Sequence, residues 1–249
     1  MPGMIVQQVK RTIELQNCAR TAVVILLLAV CPGPAGLARA GNNSSGAFEA
    51  EDGFDEDTLA GVVQVNEGEL LFLSPSPESG TLHSINTITV TRASLDDGWV
   101  QLAQCYEGLD AVPAAEVIYQ YRNLRRLRIH SKTRIGQAVT SGQTVQLTDV
   151  RQGATLCIRA DVQILYPQAD GRLLLRNGPF HRRFLDGYFP LHVSMDVQFP
   201  AKLLHFVDTS PQSQPGFAVD VTGQHVYIDT WFAGTLTVEV QFSRWQPGP

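Results

Sequence analysis

Missing from this 249-residue chain are the short motifs by which enzymes most readily declare themselves. There is no G-x-S-x-G elbow, no P-loop and no glycine-rich dinucleotide fingerprint. HExxH and HxH, the compact histidine spacings of many metal sites, are absent too, so neither a cofactor nor a metal is expected from motif alone. A Ser-His-Asp triad stays compatible with the chain, because its members need not be close in sequence. Positive charge is also scarce. The 19 basic residues are outnumbered by 24 acidic ones, which argues against nucleic-acid binding and the basic footprint it requires. No apolar run reaches the roughly 20 residues that span a bilayer as a helix. Internal repeats are lacking, and cysteine is limited to four residues.

The clearest positive feature is a leader over residues 1–40 that has the form of a secretory signal peptide. Lys10, Arg11 and Arg20 supply a basic start, residues 21–30 are apolar, and Pro32, Gly33, Pro34 and Gly36 break any helix. Ala38-Arg39-Ala40 then offers the small-x-small pattern that a signal peptidase accepts, placing cleavage between Ala40 and Gly41. A retained signal anchor and a lipid anchor on Cys31 are the competing readings. The expected location is periplasmic or extracellular, with no transmembrane span in the mature chain. Removing the leader makes the remainder more acidic, with a formal charge of about −8.

Export also reassigns the cysteines. Cys18 and Cys31 fall in the leader, leaving Cys105 and Cys157 in an oxidising compartment, where a lone pair of cysteines forms a disulfide. Two separate buried thiols are the plainer alternative. A metal role for either is disfavoured, since no second cysteine or histidine stands nearby at ligand spacing.

Residues 41–66 read as a flexible acidic leader containing overlapping glycosylation sequons at Asn42 and Asn43. Beyond it the hydrophobic period is two. Leu191, Val193, Met195, Val197 and Phe199 alternate with His192, Ser194, Asp196 and Gln198. Leu236, Val238, Val240 and Phe242 repeat the pattern, as do Leu156, Ile158, Ala160, Val162 and Ile164. Turn signals separate the runs at Asp97-Gly98, Ser141-Gly142, Gln152-Gly153, Asp170-Gly171, Asn177-Gly178 and Thr222-Gly223. Short helical content is expected only near residues 111–116 and 182–185. The fold class is therefore an all-β antiparallel sandwich of immunoglobulin-like architecture. It is organised as one sandwich or as two stacked β subdomains, with a sandwich domain or first β half (67–176), a loop or seam (177–190), a second β half (191–243) and a disordered tail (244–249).

Two stretches concentrate chemistry. In an extended segment from 124 to 135, Arg126, Arg128, His130, Lys132 and Arg134 share one face and Leu127, Ile129 and Ile135 the other. Such a ridge suits an anionic cell-envelope polymer or an acidic protein partner, bound through bidentate guanidinium contacts. The alternatives are a charged edge strand guarded against stray pairing, or internal pairing with acids such as Asp161. The second stretch, the Gly178–His192 loop, holds His181, Arg182, Arg183, Asp186, Tyr188 and His192 among four aromatic rings. It reads as a partner surface, as an active site with His181, Asp186 and His192 ligating a metal, or as a hydrophobic plug closing the sandwich. His83, His205 and His225 read as strand-face histidines, and Trp99 and Trp231 as core residues. The leading function is non-catalytic binding by an exported β-sandwich. A hydrolytic or metal-dependent enzyme and a structural subunit of an envelope assembly are the alternatives.

Overall fold

A computed structural model describes residues 4–7, 66–74, 81–184 and 187–245. The leader at 21–40 with Cys31, Ala40 and Gly41, the acidic stretch up to residue 65, and Leu185 and Asp186 lie outside the described residues. Among the described residues the chain is almost wholly β, with one short helix α1 (Ser94–Asp97). The strands are β1 (Met4–Gln7), β2 (Leu71–Phe72), β3 (His83–Thr89), β4 (Trp99–Leu109), β5 (Val112–Tyr119), β6 (Leu124–Ser141), β7 (Thr144–Gln163) and β8 (Leu165–Pro167). They continue with β9 (Leu173–Phe180), β10 (Arg182–Phe184), β11 (Gly187–Phe189), β12 (Leu191–Gln198), β13 (Leu204–Ser210), β14 (Phe217–Thr222), β15 (His225–Ala233) and β16 (Leu236–Arg244).

Twelve strands form one sheet in the order β11-β10-β1-β5-β7-β4-β3-β12-β15-β14, with β2 added on β15 and β6 on β7. Four form a second sheet, β13-β16-β9-β8. Most pairs are antiparallel, and β3 with β12 is a parallel exception. The strict alternation expected from sequence is realised in β3, β12 and β16, where every second residue is buried. Met195, Val197, Ile228 and Phe232 from the large sheet and Leu175, Val238, Val240 and Phe242 from the small one belong to one hydrophobic core. Asn177 Nδ2, on β9, reaches Met195 Sδ on β12 at 3.6 Å, so the two sheets meet face to face.

The sequence reading differs from the structure where local pattern was weak. Residues 111–116 and 182–185 are the stretches whose sequence leaves room for short helix, and Leu185 lies outside the described residues. Instead Val112–Tyr119 is β5 and Arg182–Phe184 is β10, because each finds a neighbouring backbone to pair with. Two glycine signals expected to mark turns lie inside strands. Gly153 (φ 70°) sits where β7 leaves β5 for β4, and Gly178 lies at the β9–β16 register shift. Bulges, like turns, recruit glycine for its tolerance of positive φ. Asp97-Gly98 ends α1, with the Gly98 N–H donating to Ser94 O at 2.9 Å. Asn66, at the edge of the expected leader, bridges to Tyr188. At the other end Arg244 completes β16, and Trp245 N–H donates to Leu203 O at 2.8 Å.

Cys105 on β4 and Cys157 on β7 stand directly opposite one another and are disulfide-bonded, with Cα atoms 4.1 Å apart. The bond spans 52 residues of sequence and ties the middle of the large sheet. No helix among the described residues is long and apolar enough to cross a membrane.

Replacing both cysteines with serine is expected to lower the unfolding free energy by roughly 2 to 4 kcal/mol, the usual range for a loop of this length. Urea titration of the variant beside the oxidised parent checks this. A variant that unfolds at the parent's midpoint would show that the bond contributes nothing.

Candidate metal centre

The outward faces of β3, β12 and β15 carry a group of His and Asp side chains close enough together to hold a metal ion. Strand alternation sends His192, Ser194 and Asp196 out of β12 while Leu191, Val193, Met195 and Val197 enter the core. The same alternation exposes His83 on β3, and Asp229 and Trp231 on β15. Register then aligns them. His192 lies opposite His83 on one side and Trp231 on the other, and Ser194 lies opposite Asp229.

The side chains interlock. The rings of His83 and His192 stack with centroids 3.7 Å apart, and His192 stacks on Trp231 at 4.0 Å. Ser194 Oγ donates to Asp229 Oδ1 at 2.6 Å, and His192 Nε2 lies 2.8 Å from the same oxygen. His83 Nε2 approaches Ser194 Oγ at 2.7 Å. Since the serine proton goes to Asp229, its oxygen accepts from His83. The ligand atoms of His83, His192 and Asp229 all lie within 4.8 Å of one another.

Electrostatics favour a cation here. Burial, helped by the neighbouring His192, lowers the pKa of His83 against the opposing pull of Asp229 and Glu107. Its imidazole is therefore held neutral, the form that ligates metals. The Asp229 carboxyl is also lowered, chiefly by the hydrogen bond from His192 and further by Ser194. Behind the site, Asn86 Nδ2 donates to the Ser194 carbonyl at 3.2 Å, and Gln104 Nε2 donates to Asn86 Oδ1 at 2.6 Å. These buried amides pin β3, β4 and β12 in register. In front lies a cavity of about 290 Å³ bounded by Ile85, Thr87, Asp196 and Tyr227. The arrangement is not a Ser-His-Asp relay, because Asp229 bonds to the serine and to His192 rather than orienting His83.

The residues singled out from sequence are distributed more widely. His192 joins this cluster. His181 does not; it is buried 11 residues earlier in the chain, with its ring edge-on to Tyr188 at 5.6 Å. Arg182 pairs with Asp110 and donates to Pro190 O at 3.4 Å. The Arg183 guanidinium lies 5.6 Å from the Tyr188 ring, and Phe180 is fully buried as a plug would be. His225 bonds Asp196 at 2.9 Å, and His205 is exposed on β13. Trp99 and Trp231, expected in the core, are instead half-buried on the outer face. Trp99 carries the Arg125 guanidinium 4.0 Å above its ring.

The expected basic ridge is broken up. Among the described residues β6 pairs only with β7 and so is an edge strand, with register shifts at 125/128, 129/131 and 133/135. Arg126 and Arg134 have positive φ, 56° and 59°. The bulges interrupt the regular alternation, and the basic groups divide between two cavities, with Arg126 and Arg128 at one and Arg134 at the other. Arg125 and Arg126 both pair with the buried Asp161, as the pairing alternative anticipated. Lys132 donates to the carbonyls of Ile135 and Gly136 at 3.2 and 2.6 Å. Arg134 lines a separate cavity beside Asp149, and His130 is exposed.

What the sequence reading missed is the partnership of His83 and Asp229 with His192. They are separated by 109 and 37 residues, and no local spacing joins them. The one available signal was the alternation that placed His192, Ser194 and Asp196 on a single polar face.

No family model matches the chain, and no curated protein matches it. Solved structures give distant likenesses. An M1 zinc metallopeptidase from Deinococcus radiodurans aligns at 12% identity and a TM-score of 0.35, over 72% of this chain and 43% of that one. A mutant of the same organism's enzyme bound to a Tyr-Ser-Ala substrate aligns at 15% identity and 0.34, over 66% and 42%. A two-domain M1 zinc metallopeptidase mutant bound to L-tryptophan aligns at 13% and 0.32, over 68% and 44%. The chain spans less than half the length of each, and at these TM-scores the likeness carries no argument about its activity.

His181 yields a pH prediction. Its pKa is lowered, first by burial and then by Arg183, and its Nδ1 has no hydrogen-bond partner among the described residues. The unfolded chain takes up this proton first, near the ordinary histidine value of about 6.5. Stability is therefore complete above that pH and falls as pH drops through it toward the lowered folded value. His83 contributes with the same sign. Thermal melts between pH 5 and pH 8 should show this loss on acidification, and His181→Leu should flatten it in part. An unchanged slope would refute the assignment.

Proposed function

We propose that the protein binds a divalent transition-metal ion through His83 and His192, with Asp229 as the third ligand. The observation that carries this reading is the convergence of two imidazoles and a carboxylate on three adjacent strands. Two histidines and one carboxylate suit zinc, nickel, copper or iron in preference to calcium or magnesium, which take oxygen ligands. Ser194 supports the set by holding both Asp229 and His83. Rigid strands, with the Asn86–Gln104 amides behind them, fix the ligands better than a loop would.

Three protein ligands on an open face leave positions for water or a substrate, as catalytic zinc sites do and closed structural ones do not. The cavity beside Ser194 and Asp229 favours a hydrolytic use of the ion as the second reading. This retains the metal-dependent alternative from the sequence while moving its centre from the 178–192 segment to His83, His192 and Asp229. Export also belongs to the proposal, supported by the form of residues 1–40 and by the disulfide. Cleavage after Ala40 would remove β1 and leave β5 and β10 without the strand between them.

Isothermal titration of zinc into the purified protein should show one site. His83→Ala, His192→Ala and Asp229→Asn should each weaken it by at least about tenfold, a loss of roughly 1.4 kcal/mol or more. Because Trp231 stacks on His192, nickel or copper should quench tryptophan fluorescence in the parent and much less in Trp231→Phe. Undiminished zinc affinity in a His83→Ala/His192→Ala double variant of parental thermal stability would overturn the proposal. Metal-dependent hydrolysis of activated esters or peptides would extend the reading from binding to catalysis.

A further inference from the structure

We infer a second ligand site, independent of the metal, that takes a tetrahedral oxyanion carried on a small organic group. It is a cavity of about 380 Å³ on the large sheet. Its functional wall comprises Thr87 and Thr89 from β3, Gln101 from β4, Arg126 and Arg128 from β6, and Arg159 from β7.

Three observations converge on an anion. The β6–β7 register sets Arg128 directly opposite Arg159. Like charges so placed repel and destabilise a sheet unless something negative lies between or above them. Among the described residues no carboxylate pairs with either guanidinium, although the chain as a whole has more acids than bases. Second, the bulge between Arg125 and Arg128, with Arg126 at φ 56°, brings a third arginine to the same cavity. The one acid there, Asp161, is already engaged by both Arg125 and Arg126. Positive charge on the cavity wall therefore exceeds negative. Third, Thr87 and Gln101 contribute polar side chains that form no hydrogen bond among the described residues, leaving their donors available.

Paired guanidiniums with neutral donors beside them match an anion with several oxygens pointing in different directions. Phosphate and sulfate share that chemistry, and the arginine fork binds it in a bidentate manner. The cavity has room for more than the anion, and its remaining wall mixes the polar side chains of Thr87, Thr89 and Gln101 with the apolar Leu102, Ala103 and Ala160, matching the hydroxyl groups and C–H faces of a sugar ring. A phosphate or sulfate monoester of a sugar is thus the ligand class. Thr87 also borders the cavity in front of Ser194 and Asp229, so the organic group has a path along the sheet toward that face.

The full chain should be titrated calorimetrically, without added metal, with inorganic phosphate, inorganic sulfate, glucose 6-phosphate and glucose 6-sulfate. Saturable binding of at least one ester, weakening with salt, is expected, and the tighter ester identifies which oxyanion the site prefers. Arg128→Gln and Arg159→Gln should each reduce affinity by roughly tenfold, the scale of one charge-assisted hydrogen bond. His83→Ala should leave this binding unchanged, which separates it from the metal site. Both arginines are exposed, and each single variant should melt at or slightly above the parental temperature in the absence of anion, because removing one guanidinium relieves the repulsion. Two results would overturn the inference: no saturable binding at millimolar ligand, or unaltered affinity in the Arg128→Gln/Arg159→Gln variant. The second would mean that these arginines only guard the β6 edge.

Discussion

The parallel pairing of β3 with β12 is the constraint on which the surface chemistry depends. There β3, which has β4, β7, β5, β1, β10 and β11 in turn on its other side, meets β12, β15 and β14. A slip of one residue here would turn His83 or His192 into the core and bring apolar side chains out. Buried amides oppose that slip. Asn86 donates across the junction to the Ser194 carbonyl while Gln104 holds Asn86 from the other side. An unpaired amide in this position would carry a desolvation cost of about 1 to 3 kcal/mol, so the register that satisfies them is selected strongly.

From that junction the outer face follows. A stacked row of His83, His192 and Trp231 gives a rigid, partly dehydrated wall, and Asp229 closes it with negative charge. On the far side of β3 the same sheet turns basic, because the bulged edge strand β6 delivers Arg126 and Arg128 beside Arg159. One face thus carries an acidic, imidazole-rich half and a guanidinium-rich half, with Thr87 between them. The disulfide between β4 and β7 lies on this same outward face, in phase with Gln101 and Arg159, and ties the two strands together.

Much of the scaffold was legible in the chain. Alternation of apolar and polar residues identified β12 and β16 nearly to the residue, since a side-chain period of two is a local property. The disulfide was expected from Cys105 and Cys157 as the two cysteines beyond residue 40, and the structure pairs them. The pairing of arginines with Asp161 was visible as an alternative to a free basic ridge. Bulges divide the basic stretch between two cavities, and bulges are not encoded by hydrophobic period. Arg126 and Arg134 adopt positive φ, which glycine, asparagine or aspartate signal far more often. The segment 111–116 was misread for a related reason: an Ala-Ala-Glu stretch suits a helix until a partner strand claims its backbone hydrogen bonds.

By itself the sequence determined the class of fold, the faces of the best strands and the covalent tie. Each rests on neighbours within a few residues or on composition. Only the tertiary structure decided which faces lie side by side. His83, His192 and Asp229 come from strands far apart in the chain, and their meeting is set by strand order and register. Those depend on long-range backbone pairing and on buried packing, which leave no short-range trace in the order of amino acids.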